Sequence, residues 1–355
     1  MQALDIIHRL QAGVAVDRAD LTQLLALRDP QDLEHLFAAA RQVRDTHFGN
    51  RIFFYGFLYF STHCRNNCRF CQYRSANTHL PRYRKDREEI VADARDMADS
   101  GVHLIDLTMG EDPEIYKGEE GFRNLLDTVQ AVRKETGLPA MISPGALPEA
   151  SLKTIADSGC EWYACYQETH TLDHYLHLRL NQDYEERMER KRQARDWGML
   201  IEEGLLTGAG ESLDDLAGSI LEMQKLDVDQ ARVMTFVPQE DTPMADLPAQ
   251  DNLQERITIA VMRLALPDRL IPASLDVDGL DGLAGRLDAG ANVVTSIVPP
   301  AKGLAGVANH SLDIEDSRRS LDYVIPVLED CGLAPASAEA YKDWVARRQA
   351  RRRPQ

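Results

Sequence analysis

The 355-residue sequence is short of cysteine, of positive charge and of long apolar runs, and each shortage excludes something. Six cysteines in a chain of this length do not staple a secreted domain, so reduced thiols in the cytosol are expected. Lys and Arg number 40 against 57 Asp and Glu, a formal charge of −17, which makes a nucleic-acid backbone a poor general partner. There is no run of about 18 apolar residues, so no membrane span is expected. The opening MQALDIIHRLQAG lacks the basic start, apolar stretch and small-residue cleavage site of a signal peptide. Only the closing ARRQARRRPQ is strongly basic, and it reads as a frayed, solvated tail.

What is present is regular. Hydrophobic residues make up 44% of the chain, ample for a large core, and the length suits a single α/β barrel. Residues 18–47 read as helical, with Leu21, Leu24, Leu25, Leu33, Leu36 and Phe37 at three- and four-residue intervals. Eight short apolar stretches then predict strands at 51–60, 103–109, 139–143, 161–167, 200–208, 231–237, 270–276 and 292–298. Helical patterns lie between them at 86–100, 120–136, 149–158, 183–198, 212–226, 252–266 and 279–289. Ser212 followed by Asp214 and Asp215 suits a helix start by capping and dipole. Strand–helix alternation repeated eight times predicts a parallel (β/α)8 barrel, with an open doubly wound sheet as the fallback. Low-complexity segments are missing, as is any repeat beyond the βα unit.

Sites in a barrel of this kind lie at the C-terminal strand ends, so the polar residues there are candidates. They are Cys64, Cys68 and Cys71 after strand 1, Asp106, Gly110 and Glu111 at and after strand 2, and Ser143 at strand 3. Glu168 follows strand 4, Arg232 lies in strand 6, Ser274 and Asp276 end strand 7, and Ser296 ends strand 8. A barrel core needs none of these groups, and burying a charge unpaired is costly.

The segment STHCRNNCRFCQYR sets Cys64, Cys68 and Cys71 in a C-x3-C-x2-C spacing. Three is the wrong number for a disulfide framework or a structural zinc site, unless His63 or His79 completes a zinc knuckle. Clustered thiolates select soft metals or iron–sulfur clusters, and a cubane cluster held by three cysteines keeps one iron open. With Phe70 just before the last cysteine, the triplet resembles the radical S-adenosylmethionine (SAM) superfamily. That resemblance implies a 4Fe–4S cluster whose open iron chelates the amino and carboxylate groups of SAM, and a 5′-deoxyadenosyl radical as the oxidant. It also implies that Gly110 and Glu111 of LTMGED, Glu168 of YQETH and Arg187 of EERMERKRQAR approach SAM, with Arg179 a weaker candidate. An arginine in so polar a segment is ordinarily a solvated helix face. Cys160, Cys165 and Cys331 lack such spacing and read as buried small hydrophobes. GAGES at 208–212 lacks the lysine of a phosphate loop and reads as a turn.

A narrower resemblance spans most of the chain. FGNRIFFYGFLYFSTHCRNNCRFCQYR, IDLTMGEDP, MISPG, YQETH, RVMTFVPQE, RLIPASLDVDG and LDAGANVVTSIVPP are similar to the methylornithine synthase family of the pyrrolysine pathway. It implies a helical N-terminal lid (1–50), a barrel (51–310), and C-terminal helices with the basic tail (311–355). The implied reaction fragments the skeleton of L-lysine and rejoins it as (3R)-3-methyl-D-ornithine, inside a cavity that keeps water out and both pieces in. Asp106, Arg232, Ser274, Asp276 and Ser296 are the implied substrate contacts. A diamino acid needs a cation for its carboxylate and an anion for an ammonium, and Arg232 suits the first by its planar fork. An electron donor such as flavodoxin or ferredoxin is implied as partner. The alternative is another member of the biotin synthase and hydrogenase maturase branch acting on a different small amino acid. Sulfur insertion of the biotin synthase kind would call for a second cysteine cluster, which the sequence does not contain.

Overall fold

Strand β1, Arg51–Ser61, is buried from its second residue onward because it has a protein layer on both faces. Phe53, Tyr55, Phe57 and Tyr59 alternate into the barrel, while Ile52, Phe54, Leu58 and Phe60 face the surrounding helices. The computed structural model describes residues 3–298 and 318–352. After β1 come β2 (Leu104–Met109), β3 (Ala140–Ser143), β4 (Trp162–Ala164), β5 (Leu200–Thr207), β6 (Gln230–Thr235), β7 (Pro272–Ser274) and β8 (Val293–Ile297). All neighbours pair parallel in the order β6-β5-β4-β3-β2-β1-β8-β7. One bridge, Gln230 to Leu270, joins β6 to the approach of β7 and brings the eight strands nearly to closure. The eightfold alternation in the sequence therefore produces the expected barrel.

The helices are α1 (Ala3–Gln11), α2 (Arg18–Leu25), α3 (Pro30–Phe48), α4 (Arg87–Ser100), α5 (Pro113–Lys117), α6 (Glu119–Thr136) and α7 (Glu149–Asp157). They continue with α8 (Leu172–Leu178), α9 (Tyr184–Asp196), α10 (Leu213–Leu226), α11 (Leu253–Ala265), α12 (Leu283–Asp288), α13 (Leu321–Asp330) and α14 (Ala338–Ala350). Ser212 closes a reciprocal capping box with Asp215, as its position suggests. The helix expected over 18–47 breaks between Leu25 and Pro30, where Asp29 caps a second start with proline at the first position. None of the described helices is long and apolar enough to cross a membrane.

The N-terminal helices clad the barrel's flank. Helix α2 lies on α10 and α3 on α11, with Arg18 paired to Asp214 at 2.7 Å and Arg44 donating to the Leu287 carbonyl at 2.7 Å. What covers the N-terminal end of the barrel is α14. Trp344 stacks on Trp162 at 5.9 Å, and the Tyr341 and Tyr55 hydroxyls lie 2.8 Å apart. The preceding β9 (Ala334–Pro335) pairs with β1. The basic tail departs from expectation. Arg348 and Arg352, one helical turn apart, both reach the buried Asp229 at 2.8 Å, so the described part of the tail is docked. Residues 353–355 and the expected boundary at 310/311 lie outside the described residues. Cys160 and Cys165 are buried as expected, whereas Cys331 is exposed because it is the C-cap of α13, beyond that helix's apolar face.

Candidate active site

Beyond β1 the chain turns at once into the loop of Cys64, Cys68 and Cys71. Arg82 fixes its shape, donating to the carbonyls of Thr62, Tyr73 (2.9 Å), Arg74 (2.7 Å) and Asn77 (2.9 Å). A single guanidinium so ties both ends of the cysteine loop together. Sequence reading passed over Arg82, since nothing in its spacing sets it apart from Arg84 and Arg87. The zinc alternative finds no support in the donors. His79 bonds Asp241 at 2.7 Å, and no three His, Cys, Asp or Glu side chains among the described residues close around a single ion.

Gly110, at the end of β2, is where the second loop meets the first. Its N–H donates to Ser61 O at 3.1 Å, and a Cβ there would lie 2.3 Å from His63 O and 2.9 Å from the Cys64 Cβ. Gly110→Ala must therefore displace the cysteine loop, because the backbone on the other side cannot yield cheaply. The expected result is loss of most reconstituted iron with the melting temperature of the barrel lowered by only a few degrees. Iron equal to wild type would contradict this contact.

The next residue, Glu111, is buried and fully engaged. Its carboxylate accepts from Arg187 Nη1 (2.9 Å), Arg65 Nε (3.0 Å) and Ala146 N (3.2 Å). Burial works to raise its pKa, but the two guanidiniums and Asn66 bring it below the usual value. Arg187, on α9, also donates to Tyr166 O at 2.9 Å. So the arginine that sequence context left half assigned is buried, and it links the loops after β2 and β4.

Glu168 follows β4 in the left-handed region, with φ 69°. Such a conformation costs a non-glycine residue energy and clusters at functional sites. Its Oε1 accepts from Arg179 Nη2 at 2.7 Å, and burial raises its pKa against the pull of that arginine. The Arg179 guanidinium lies 5.4 Å from the Phe70 ring and points Nη1 at Cys68 Sγ, 3.6 Å away. Gln182, which sequence reading missed, donates to the same sulfur at 3.0 Å.

Deeper in the barrel Arg232 donates to Glu202 Oε1 at 2.7 Å and to Thr295 Oγ1 at 3.0 Å, between the rings of Phe57 and Tyr166. Asp106 accepts from Thr108 and Ser143, both at 3.0 Å. Among the described residues, Arg232 Nη2, Asp106 Oδ2 and Glu202 Oε2 are buried with no partner. Burial, with Glu202 nearby, lifts the Asp106 carboxyl to about 7. Asp276 is better served: Oδ1 accepts from Tyr59 (2.9 Å) and Arg319 (2.7 Å), and Oδ2 from Ser296 (2.7 Å), with Ser274 at 3.4 Å. Burial works to raise its pKa, but Arg319, the Ser296 and Tyr59 hydroxyls and the charge of Arg232 bring it below the usual value. Sequence reading had neither Glu202 nor Arg319. The double acid in LIEEGLLTG, two charges inside an apolar strand, was a signal for the first; for the second there was none.

Cys64, Cys68, Cys71, Phe70, Gly110, Glu111, Glu168, Arg179, Arg187, Arg232 and Asp276 all border one cleft, whereas Asp106, Ser274 and Ser296 lie buried outside its lining. The donor set fits an iron–sulfur cluster. Burial pushes the Cys64 thiol up to about 11 and the Cys71 thiol up too, so the sulfurs ionise only for a group that supplies positive charge. The N–H donors already aimed at Cys68 Sγ are the contacts that tune such clusters.

The radical SAM superfamily profile matches residues 58–222. The 3-methylornithine synthase of Methanosarcina barkeri is 45% identical over 91% of this chain and 91% of its own. The FeFe-hydrogenase maturase subunit HydE of Thermotoga maritima is 30% identical over 83% of each chain. The crystal structure of methylornithine synthase (PylB) superimposes with a TM-score of 0.90 at 42% identity, covering 96% of this chain and 99% of that one. With Cys64, Cys68 and Cys71 on the loop after β1 of a parallel barrel, the chain belongs to the radical SAM superfamily and, within it, to the 3-methylornithine synthase family.

Proposed function

We propose that this chain rearranges L-lysine to (3R)-3-methyl-D-ornithine, the skeletal isomerisation of the pyrrolysine pathway. The observation that carries the reading is a single cleft with two chemically distinct parts. One part has three thiols beside Glu111, Glu168, Arg179 and Arg187, and the other is bordered by Arg232 and Asp276, with Asp106 buried behind the lining residues Thr108 and Ser143 that donate to it. Cys64, Cys68 and Cys71 would hold the 4Fe–4S cluster. When bound, cluster and SAM supply the one chemistry that side chains lack, homolytic removal of a hydrogen atom from an unactivated carbon.

The chain's own residues bind and orient. Glu168 Oε1 accepts from Arg179, and the carboxylate borders the cleft, where it suits the SAM ammonium. Arg232 offers its free Nη2 to the substrate carboxylate while Glu202 and Thr295 lock the guanidinium plane. The free Asp106 Oδ2 receives a substrate ammonium. Asp276 borders the cleft with its charge already balanced by Arg319, and the buried Ser274 and Ser296 hold its carboxylate by hydrogen bonds. The aromatic walls from Phe57 and Tyr166 keep water from fragments that must rejoin. Anaerobic incubation with SAM, reductant and lysine should yield 5′-deoxyadenosine and an isomer of lysine separable by chromatography and identified by mass spectrometry. 5′-Deoxyadenosine formed with no such isomer would refute the substrate assignment.

Asp106 also makes the free protein pH-sensitive. Its folded pKa lies above the ordinary 3.8, so the native state holds this proton more tightly than the unfolded chain does. Stability is therefore highest below about pH 4 for this group and falls as pH rises through about 7, where the buried carboxyl is half ionised. Relative to Asp106→Asn, wild type should lose melting temperature between pH 5 and pH 8. Parallel curves for the two proteins would contradict the raised pKa. Saturating lysine should restore part of the loss, because its ammonium stabilises the ionised form.

A further inference from the structure

Strands β4 and β5 do not run level at their C-terminal ends. Ala164 pairs with Glu202, yet the next pairing sets Glu168 against Leu205. Cys165, Tyr166 and Gln167 therefore stand opposite Glu203 and Gly204, which is a one-residue bulge. A bulge takes main-chain N–H groups out of the ladder, and buried ones must find acceptors. The Glu203 carboxylate is that acceptor. Its Oε1 accepts from Gln167 N at 2.7 Å and Gly204 N at 2.8 Å.

The other oxygen of Glu203 accepts from Lys191 Nζ on α9, and His170 Nε2 lies 3.5 Å from it. Lys191 also donates to Gln167 Oε1 at 3.2 Å, and Gln167 Nε2 to Tyr184 O at 3.2 Å. Lys191, Glu203 and Gln167 are fully buried, although the polar segment around Lys191 reads as solvated in sequence. Packing does not call for this pair. Apolar residues of similar volume often match or better a buried ion pair. Only a hydrogen-bond acceptor can serve the two N–H groups.

Those N–H groups flank the residue that matters. Glu168 follows Gln167 directly, holds φ 69°, donates its N–H to Gly204 O at 3.0 Å and accepts from Leu206 N at 3.0 Å. A Cβ on Gly204 would lie 2.8 Å from Tyr166 Cδ1, so glycine lets the bulged tyrosine lie against β5. One turn before Lys191, Arg187 holds Tyr166 O. We propose that Glu203, seated by Lys191, is a positioning residue that locks the β4 bulge and thereby aims the Glu168 carboxylate at the ammonium of SAM. This rests on the reading of Glu168 as a SAM contact.

Two double variants of the reconstituted holoprotein test it, with SAM affinity, iron content and melting temperature as readouts. Glu203→Leu with Lys191→Met removes both charges and the acceptor; iron should stay at the wild-type level and SAM should bind about tenfold more weakly or worse. Glu203→Gln with Lys191→Met removes the charges but keeps an amide oxygen for the two N–H groups, and SAM affinity should stay within about threefold of wild type. A merely structural pair would move both variants alike. Should the Leu/Met protein not fold, Glu203→Asp takes its place, since it keeps the charge but withdraws the oxygen, and the same tenfold loss is expected. Glu168→Gln is the reference. If it binds SAM poorly while the compared variants bind normally, the positioning role is overturned and the site reading stands. If Glu168→Gln itself binds SAM normally, both are overturned.

Discussion

Replacing Cys64, Cys68 or Cys71 singly by alanine should leave a folded barrel with little bound iron and no turnover. The loop should outlast the substitution because Arg82 ties it through four carbonyls and Asn67 accepts from Ser75 Oγ and Ala76 N at 3.0 and 2.9 Å. The thiols add little to packing: Cys64 and Cys71 are only part-buried, and none of the three belongs to the three apolar clusters of the core. Removing one ligand of three leaves a cubane with two protein anchors, and Cys64 and Cys71, whose thiols are raised in pKa by desolvation, resist ionisation once the compensating charge is less tightly held. Cys160→Ala and Cys331→Ala are the controls. The first is buried beneath β3 with Sγ 3.5 Å from Ala140 O, the second is exposed at the end of α13, and both should bind iron normally. Iron per chain and the SAM-induced change in the EPR spectrum are the measurements. A Cys68→Ala protein with wild-type iron and spectrum would remove the triplet from the cluster.

The barrel was legible because its signal is local. The apolar stretches of β1 to β8 are short and separate, and some of the intervening helices carry their own cap, as Ser212 and Asp86 show. The ends of strands were less so. The stretch 161–167 reads as one strand, but β4 stops at Ala164 because the bulge opposite Glu203 and Gly204 breaks its register. The short α8, whose Leu172 and Leu176 are exposed, has no apolar stripe to announce it.

Within the site, legibility followed the same line. Cysteine spacing is a local pattern and was readable. The partners that finish each charge come from far along the chain. Arg82 acts across 5 to 20 residues of its own loop, but Arg319 reaches Asp276 over 43 residues and Glu202 reaches Arg232 over 30. Residue types alone name neither partner: Arg232 is met by Glu202 of the neighbouring strand, and Asp276 by Arg319 from the segment before α13. Lys191 shows the limit most plainly, since a lysine among the eight other charged residues of α9 has no sequence mark of burial. Its burial is decided by which face of α9 meets β5, and that face carries Arg187 and Lys191 one turn apart.

Substitution of Arg232 should produce the second large effect, and its partner Glu202 determines how the test must be built. Glu202 is fully buried, so Arg232→Ala leaves an uncompensated carboxylate and should destabilise the barrel by about 3–5 kcal/mol. That loss alone would obscure a binding defect. Arg232→Lys keeps a charge for Glu202 but cannot also reach Thr295 and present a free, fixed N–H to a carboxylate. A lost charge-assisted hydrogen bond is worth about 1.5–3 kcal/mol, so lysine affinity should fall roughly ten- to over a hundredfold. Iron content and SAM affinity should hold, because Arg232 touches neither the cysteines nor Glu168. The stricter variant replaces the pair, Arg232→Gln with Glu202→Gln, which removes both charges together and leaves no buried ion. If the pair merely ties β5 to β6, this protein should bind lysine as wild type does and melt close to it, since neutral replacement of a buried pair is often harmless. If Arg232 is the carboxylate clamp, it should be as stable as wild type and still bind lysine at least tenfold more weakly. Lysine affinity and melting temperature measured on the same preparation decide the matter, and wild-type lysine affinity in the paired variant would end the clamp assignment.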